Sequence, residues 1–469
     1  MSGVLPRGGR VTIRVAGGAS DVFDRRSVLR ALAGASAVAV AGCSTADTTT
    51  TREFTDRSHT SAPPTVASDS AETRPWEFDS VVDLVEAGAD PTGADPIDGV
   101  LDAAAAENAL LVLPEGRYRV TGEFVPDVSA LGLLGRNATI VPGDGFDDTV
   151  LGLGYPEPMT DVFVAGLTFD FTASNTGGRP LLAKASDRVR VRDLTVRGAI
   201  DIDQDAFRFD VTDSDGTGVV ERVSLPDGAP ARFKNTGIEV GDDNAGDIDF
   251  RDCRVAGFPD NGLYADPPEG RVRVLGGTFL NNGVAGVRVE ADDALVRGVH
   301  VRCDTAVGGE NMRGVWLRGG SGVVVEDSLV ELLDVTESDG AVTFAAELES
   351  GTLRRSTIRV DADGVNAIRV KSAASEASRS GPFVVDTVTV TGSAAESTAV
   401  RAADRAGVQF RDLCIHGPGR NRAGFTVSDL TGTVANARIA VTGDAFDVED
   451  SQFDRRDVTL LDASTNPCR

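Results

Sequence analysis

One spaced pattern limits what this chain can fold into more than anything else in it. The template apolar-x-apolar-x-x-apolar-x-apolar recurs as Val162/Val164/Leu167/Phe169, Val189/Val191/Leu194/Val196, Ile248/Phe250/Cys253/Val255 and Val272/Val274/Gly277/Phe279. It returns as Ala294/Val296/Val299/Val301, Val323/Val325/Ser328/Val330, Phe383/Val385/Val388/Val390 and Val408/Phe410/Leu413/Ile415, with weaker copies starting at Leu133, Gly218, Leu353 and Val434. The starts are 22 to 30 residues apart. Alternation with period two, broken once in the middle, describes two short strands meeting at a corner.

A second element falls between these copies: a small residue, an apolar one, a free position X and another apolar one. Examples are Ala206-Phe207-Arg208-Phe209, Gly237-Ile238-Glu239-Val240, Gly262-Leu263-Tyr264-Ala265, Gly286-Val287-Arg288-Val289 and Gly314-Val315-Trp316-Leu317. Three short strands per repeat predict an all-β solenoid, a right-handed parallel β-helix with three sheets and about 12 coils. Each coil buries its apolar side chains only against the coils above and below. A leucine-rich repeat needs a Leu-x-x-Leu-x-Leu signature with Asn, which is absent, and a propeller needs longer repeats with hairpins. An open first coil needs covering, and Asp95-Pro96-Ile97-Asp98 predicts a helical cap with Asp95 as N-cap and Pro96 at the first helical position.

Glu86-Ala87-Gly88-Ala89-Asp90-Pro91-Thr92-Gly93, followed by Leu111-Val112-Leu113-Pro114-Glu115-Gly116-Arg117-Tyr118, resembles the N-terminal signature of the pectate-lyase-like right-handed β-helix superfamily. The resemblance covers about 79–120 in motif and 120–450 in coil pattern, and it implies a fold. It does not choose a reaction, because the superfamily holds lyases, hydrolases, epimerases, tailspikes and noncatalytic surface proteins. Asp242-Asp243 and Arg369-Val370-Lys371 look like polygalacturonase motifs, but no Gly-His-Gly occurs, so that branch's residue roles are not carried over.

Before the repeats, Arg25-Arg26 precede the short apolar run Ala31 to Gly42, and Val40-Ala41-Gly42-Cys43 resembles a lipobox. Twelve residues span only about 18 Å as a helix, too short for a bilayer. Residues 1–43 therefore read as a twin-arginine export signal with Cys43 as the lipidated residue, placing the protein on the outer face of the membrane or outside the cell. Residues 44–75, with 14 Ser/Thr among 32, read as a disordered tether. The expected domains are a cap at 76–120, the β-helix at 121–453 and a C-terminal tail at 454–469.

The chain has 72 acidic against 46 basic residues, a formal net charge of −26, and only three of its basic residues are Lys. That balance disfavours nucleic acid and anionic membrane surfaces as partners and reads as halophilic, with surface carboxylates serving hydration. The three His exclude zinc-ribbon and zinc-finger chemistry.

In the second element the apolar residues point inward, so X and the residue two further on point outward. The X column reads Arg208, Glu239, Tyr264, Arg288, Trp316, Thr343, Arg369, Arg401, Thr426, Asp447, and the next outward column includes Asp210, Asp266, Glu290 and Arg318. Rungs lie about 4.8 Å apart. Tyr264 and Trp316, two of the chain's five Trp and Tyr, share this strip with Arg208, Arg288 and several acids. Rings suit sugar faces and Arg suits anionic groups, so a polysaccharide or envelope glycan along the helix axis is the expected partner.

Asp266, Glu290 and Glu239 are the catalytic candidates, since carboxylates one or two coils apart match the spacings of glycosidases. Repulsion between Asp266 and Glu290 is expected to raise one of them. A second arrangement places Ca²⁺ at Asp242, Asp243 and Asp266, with Arg288 as the base of a lyase. Glycan cleavage and noncatalytic glycan binding both remain open.

Asn235, Asn261, Asn282, Asn311, Asn366 and Asn421 precede second elements and are expected to serve turns and coil-to-coil amide ladders. Cys253 and Cys303 are expected core thiols. Cys414 and Cys468 are candidates for a disulfide, which an exported setting permits.

Overall fold

The computed structural model describes residues 76–306 and 311–468, so Cys43, the signal and the tether fall outside the described residues. The chain is all-β and 3% helical, a right-handed parallel β-helix of about 13 turns. Every strand pairing is parallel between consecutive coils. The first sheet runs through Val162↔Val189, Val189↔Gly218, Gly218↔Ile248 and Ile248↔Val272, then Val296↔Val325, Val325↔Leu353, Val385↔Phe410 and Phe410↔Val434. The register of the sequence template is thus the register of the sheet. Three of the weaker copies differ: Leu131, Gly351 and Gly432, not Leu133, Leu353 and Val434, pair with the first positions Val162, Val323 and Val408, so those coils begin two residues earlier than their apolar spacing suggests.

The break in the template has a single-residue cause. Two positions after the second apolar residue the backbone turns left-handed, at Asp193 (φ 56°), Asp252 (φ 51°), Asp327 (φ 51°), Asp412 (φ 55°) and Asn436 (φ 52°), or at Gly166, Gly276 and Gly298. Asp, Asn and Gly enter this region most readily. One such residue bends the strand into the next sheet without a loop. Between the sheets, Phe207, Phe209, Ile238, Val240, Leu263, Val287, Val315 and Leu317 are 0–1% exposed and form part of one continuous core.

The rungs extend beyond 121–453 at both ends. Ala109–Leu113 and Gly116–Val120 already pair in parallel with Ala130–Pro142, and Gln452–Leu461 pairs with Thr431–Val441. The helix is Asp98–Ala104, starting three residues after the expected N-cap. Ile97 caps it without a side-chain hydrogen bond, and Pro96 instead bridges to Arg119. The Asp98 carboxylate accepts from Thr121 N (2.9 Å) and Gly122 N (2.7 Å), tying the helix to the first rung. In the motif that carries the family resemblance, Tyr118 is fully buried and its hydroxyl donates to Pro114 O (2.8 Å). Gly116 is required because a Cβ there would lie 2.7 Å from Pro91 Cβ.

Outward acids on the first sheet are not simply hydrated. Asp249, 3% exposed, holds Arg273 at 2.5 Å and Arg251 at 3.0 Å, and Glu326 holds Arg354 at 2.6 Å and Arg355 at 2.7 Å. A forked guanidinium reaches a carboxylate on the next rung with two donors where Lys offers a point charge, which suits the Arg bias of the composition.

The asparagines work chiefly through backbone groups rather than amide ladders. Asn235 Nδ2 donates to Ile202 O (2.7 Å), Asn366 Nδ2 to Asp339 O (2.8 Å), and Asn311 Oδ1 accepts from Asp339 N (2.9 Å). Of the six, only Asn421 is left-handed (φ 55°). Cys253 and Cys303 are buried, and burial pushes each thiol up to about 12. Cys414 and Cys468 form a disulfide with Cα atoms 5.5 Å apart, and His416 Nε2 lies 3.0 Å from Ala463 O beside it. Together they fasten the tail onto the strand Cys414–Gly417.

Two buried arginines have no counterpart in the sequence pattern. The Arg405 guanidinium, 1% exposed, donates to the carbonyls of Lys371 (2.8 Å), Leu348 (3.1 Å), Ala345 (2.6 Å), Ala346 (3.2 Å) and Ser378. It lies 4.6 Å over the Phe383 ring. Arg422 donates to Val365 O (2.6 Å) and Glu396 O (3.0 Å). Burial brings both guanidinium groups down to about 10.

Candidate functional site

The third sheet builds the site. Its strands Phe207–Val211, Ile238–Val240, Asn261–Ala265, Ala285–Glu290 and Arg313–Gly319 each bury two apolar residues and leave one side chain between them facing out. Strict register then stacks the X residues. Arg208 pairs with Glu239, Glu239 with Tyr264, Tyr264 with Arg288, Arg288 with Trp316, and the column continues through Thr343, Arg369, Arg401, Thr426 and Asp447. The second outward column is broken by a bulge after Val289, so Glu290 faces Gly319 instead of Arg318.

At the N-terminal end of the strip, charge is concentrated and partly buried. Arg208 Nε donates to Asp210 Oδ2 (3.1 Å), and its NH1 lies 3.7 Å from Glu239. Asp210 is 1% exposed and burial raises its carboxyl, with Arg208 opposing. Glu239 is pushed up to about 7, first by burial and then by the charge of Asp205, with Arg208 and Arg179 pulling the other way. Asp205 is fixed by Thr236 N, which donates to its Oδ1 at 2.5 Å, while Arg179 Nε donates to its carbonyl at 3.0 Å. Asp260 is also raised by burial, against the pull of Arg288. This gives a carboxyl that exchanges its proton near neutrality, with a second carboxylate and two guanidinium groups around it.

The C-terminal half of the strip is an aromatic–guanidinium stack. Arg288 lies 4.0 Å from the Tyr264 ring centroid and 4.6 Å from that of Trp316, interleaved between them. Arg313 adds a further contact to Trp316 at 4.0 Å and is itself held by Asp339 at 2.9 Å. The sequence predicts rings that present their faces to a sugar; in the structure guanidinium groups already occupy ring faces, so the exposed edges and the outer Arg donors are what a ligand meets. Arg288 Nε, Trp316 Nε1, Asp210 Oδ1 and Asn261 Oδ1 are buried without a protein hydrogen-bond partner.

The structure redistributes the expected roles. Asp266 accepts the Tyr264 hydroxyl, and Glu290 pairs with Arg288 at 3.6 Å, so both are engaged within the stack. Of the raised acids on the strip, Glu239 is raised furthest. Arg288, wedged between two rings and 3.6 Å from Glu290, is poorly suited to act as a base. Asp242 and Asp243 are exposed, Asp243 is held by Lys184 at 2.8 Å, and among the described residues no three carboxylates, Cys or His converge as a metal site. Asp242, Asp243 and Asp266 are not brought together as such a group. Asp205, Asp260 and Arg179 join the site without having been singled out by the repeat pattern. Asp205 and Asp260 sit one and two residues before the small residue of their second elements, outside the repeat template; Arg179 opens a coil whose strand lacks the small-residue signal.

No family model matches the chain, and no curated protein matches it. Among solved structures, a surface adhesin of Streptococcus pneumoniae is similar at 14% identity, covering 81% of this chain and 91% of the adhesin, with a TM-score of 0.44. The A-module of an Azotobacter vinelandii mannuronan C-5 epimerase is similar at 17% identity over 82% of this chain and 99% of the module, also at 0.44. The catalytic unit of an alpha-1,3-glucanase from Streptomyces thermodiastaticus is similar at 13% identity over 84% of this chain and 71% of that one, at 0.36. All three TM-scores fall below 0.5, and no residue role is transferred from these proteins.

Proposed function

We propose that the third-sheet strip is a glycan groove and that the protein processes a polysaccharide there, with Glu239 as the proton donor. The observation that carries this reading is Glu239 itself: a carboxyl pushed up to about 7 beside Asp205, with Arg208 within 3.7 Å, on an outward column of ring edges and guanidinium groups. A group poised near the operating pH is what acid–base catalysis needs. Asp205 hydrogen-bonds the Glu239 carboxyl and so lies too close for the two-carboxyl spacing of glycosidases; it would keep the proton on Glu239, and Arg208 and Arg179 would hold the substrate or offset developing negative charge. The testing experiment is an activity screen over neutral and uronic-acid polysaccharides in high salt, with and without calcium. It is read by new reducing ends and by unsaturated products, which separate hydrolysis from elimination.

One observation favours a second reading, binding without turnover. Asp266 and Glu290 are tied to Tyr264 and Arg288, leaving the central strip a rigid recognition surface. That reading predicts saturable glycan binding with no product on any substrate.

The protein is further proposed to act outside the cell, as a twin-arginine-exported, lipid-anchored protein of a salt-adapted organism. Arg25→Lys with Arg26→Lys is expected to leave the precursor inside the cell, and Cys43→Ser to move the exported protein from the membrane fraction to the medium. Fractionation with mass spectrometry of the mature N-terminus reads both. A Cys43→Ser protein that still sediments with membranes contradicts the anchor.

A further inference from the structure

Further along the same column the charge pattern changes. Arg369 and Arg401 are partners in register on adjacent rungs, about 4.8 Å apart. Elsewhere on the column a cation meets an acid or a ring: Arg208 faces Glu239, and Arg288 lies between Tyr264 and Trp316. Here two guanidinium groups face each other, an arrangement that costs stability unless something neutralises it. Neither makes a salt bridge among the described residues. The nearest acid acting on Arg369 is Asp339, already bound to Arg313 (2.9 Å) and Lys371 (2.5 Å). Burial and the charge of Arg401 both lower Arg369, whose NH1 is turned to its neighbour's carbonyl, Val370 O (3.1 Å). Arg401 is exposed, and the next residues along the column and beside it are Thr426, Ser428 and Ala403, with no carboxylate among them. In a chain with a net charge of −26, such a pair left without an acid is a conspicuous exception.

We infer that Arg369 and Arg401 form an oxyanion-binding subsite for a sulfate ester or carboxylate borne by the glycan. Two forked guanidinium groups one rung apart present parallel donors to a single oxyanion, which also removes their mutual repulsion. Five rungs separate Glu239 from Arg369, or about 24 Å, so an occupant of both positions is a long anionic polymer lying along the helix axis. That the oxyanion belongs to a glycan rests on the groove reading above; the anion subsite itself does not.

The test is binding, not turnover, and it runs in the Glu239→Gln background so that catalysis does not enter. Titration calorimetry at constant ionic strength compares inorganic sulfate, a sulfated oligosaccharide, a uronate oligosaccharide and a neutral one, each oligosaccharide long enough to span five rungs. The sulfated or the uronate chain is expected to bind at least tenfold more tightly than the neutral one. Arg369→Gln and Arg401→Gln are each expected to weaken that binding about tenfold. Arg401 is exposed, so its substitution leaves the fold intact and keeps the test open should Arg369→Gln disturb packing. Whichever anionic chain prefers the site identifies the oxyanion. Sulfate binding that is lost in the double variant, without tighter binding of any oligosaccharide, supports the subsite and overturns the glycan as its source. No sulfate binding together with equal affinity for anionic and neutral chains, or an anion affinity unchanged in the double variant, overturns the subsite.

Discussion

Glu239→Gln is expected to reduce polysaccharide turnover by about 10²–10⁴-fold while leaving glycan affinity within a few-fold of the parent. The amide keeps the side chain's size and its place between Arg208 and Tyr264 but cannot deliver a proton. The pH profile sharpens the test. As the proton donor, Glu239 must be protonated, so the rate is expected to hold below about 7 and to fall as pH rises through that value, and the Glu239→Gln variant loses this limb. Stability carries the same signature. The folded carboxyl binds its proton more tightly than the unfolded one, so between the ordinary Glu range and about 7 the folded state carries the extra proton and stability falls as pH rises. Glu239→Gln is expected to flatten that slope in denaturation measured from pH 4 to 8. A Glu239→Gln variant whose slope over this window equals the parent's contradicts the raised acid.

Arg405→Met is expected to destabilise the fold by about 3–5 kcal/mol, more than any single surface ion pair contributes. Methionine fills much of the same space over Phe383 but leaves the carbonyls of Leu348, Ala345, Ala346, Ser378 and Lys371 without their donor. These carbonyls lie on the turn after Val342–Phe344 and on the insert that carries the short helix Glu376–Ser380, so the insert should open first. Limited proteolysis should then cut within 371–382 before any other site, and the denaturation midpoint should drop in parallel. Arg405→Lys is not expected to rescue, because an ammonium has no planar fork to span several carbonyls. An Arg405→Met variant that melts within about 0.5 kcal/mol of the parent shows that the carbonyls find other partners.

The architecture was legible because a solenoid writes its register into sequence. Period-two alternation marks the strands, and the residue two positions after the second apolar one marks the corner, so stacking copies by their apolar positions already aligns Arg208, Glu239, Tyr264, Arg288 and Trp316. The chemistry of that column was less legible, for physical reasons. Column position does not say which side chain is desolvated: spacing points to Asp266 and Glu290 for the raised acid, whereas burial and Asp205 raise Glu239. Rotamers also decide partners, as when Arg288 turns onto two rings that alone would have stacked on sugar. Asp205 and Arg405 lie outside the template, in turns whose contacts come from other coils, and no spacing rule reaches them. The Asp242-Asp243 pair illustrates the converse: adjacent acids in sequence are splayed by an exposed turn, one to Lys184.

The central claim is that a glycan lies on the third sheet over Glu239. A crystal structure of the Glu239→Gln protein soaked with the polysaccharide fragment it binds best tests this most directly. The account predicts sugar rings along the column from Arg208 to Trp316, with the substituted side chain at position 239 within hydrogen-bond distance of a glycosidic oxygen. Sugar bound on the first or second sheet instead, or on the third sheet but clear of position 239, would contradict it.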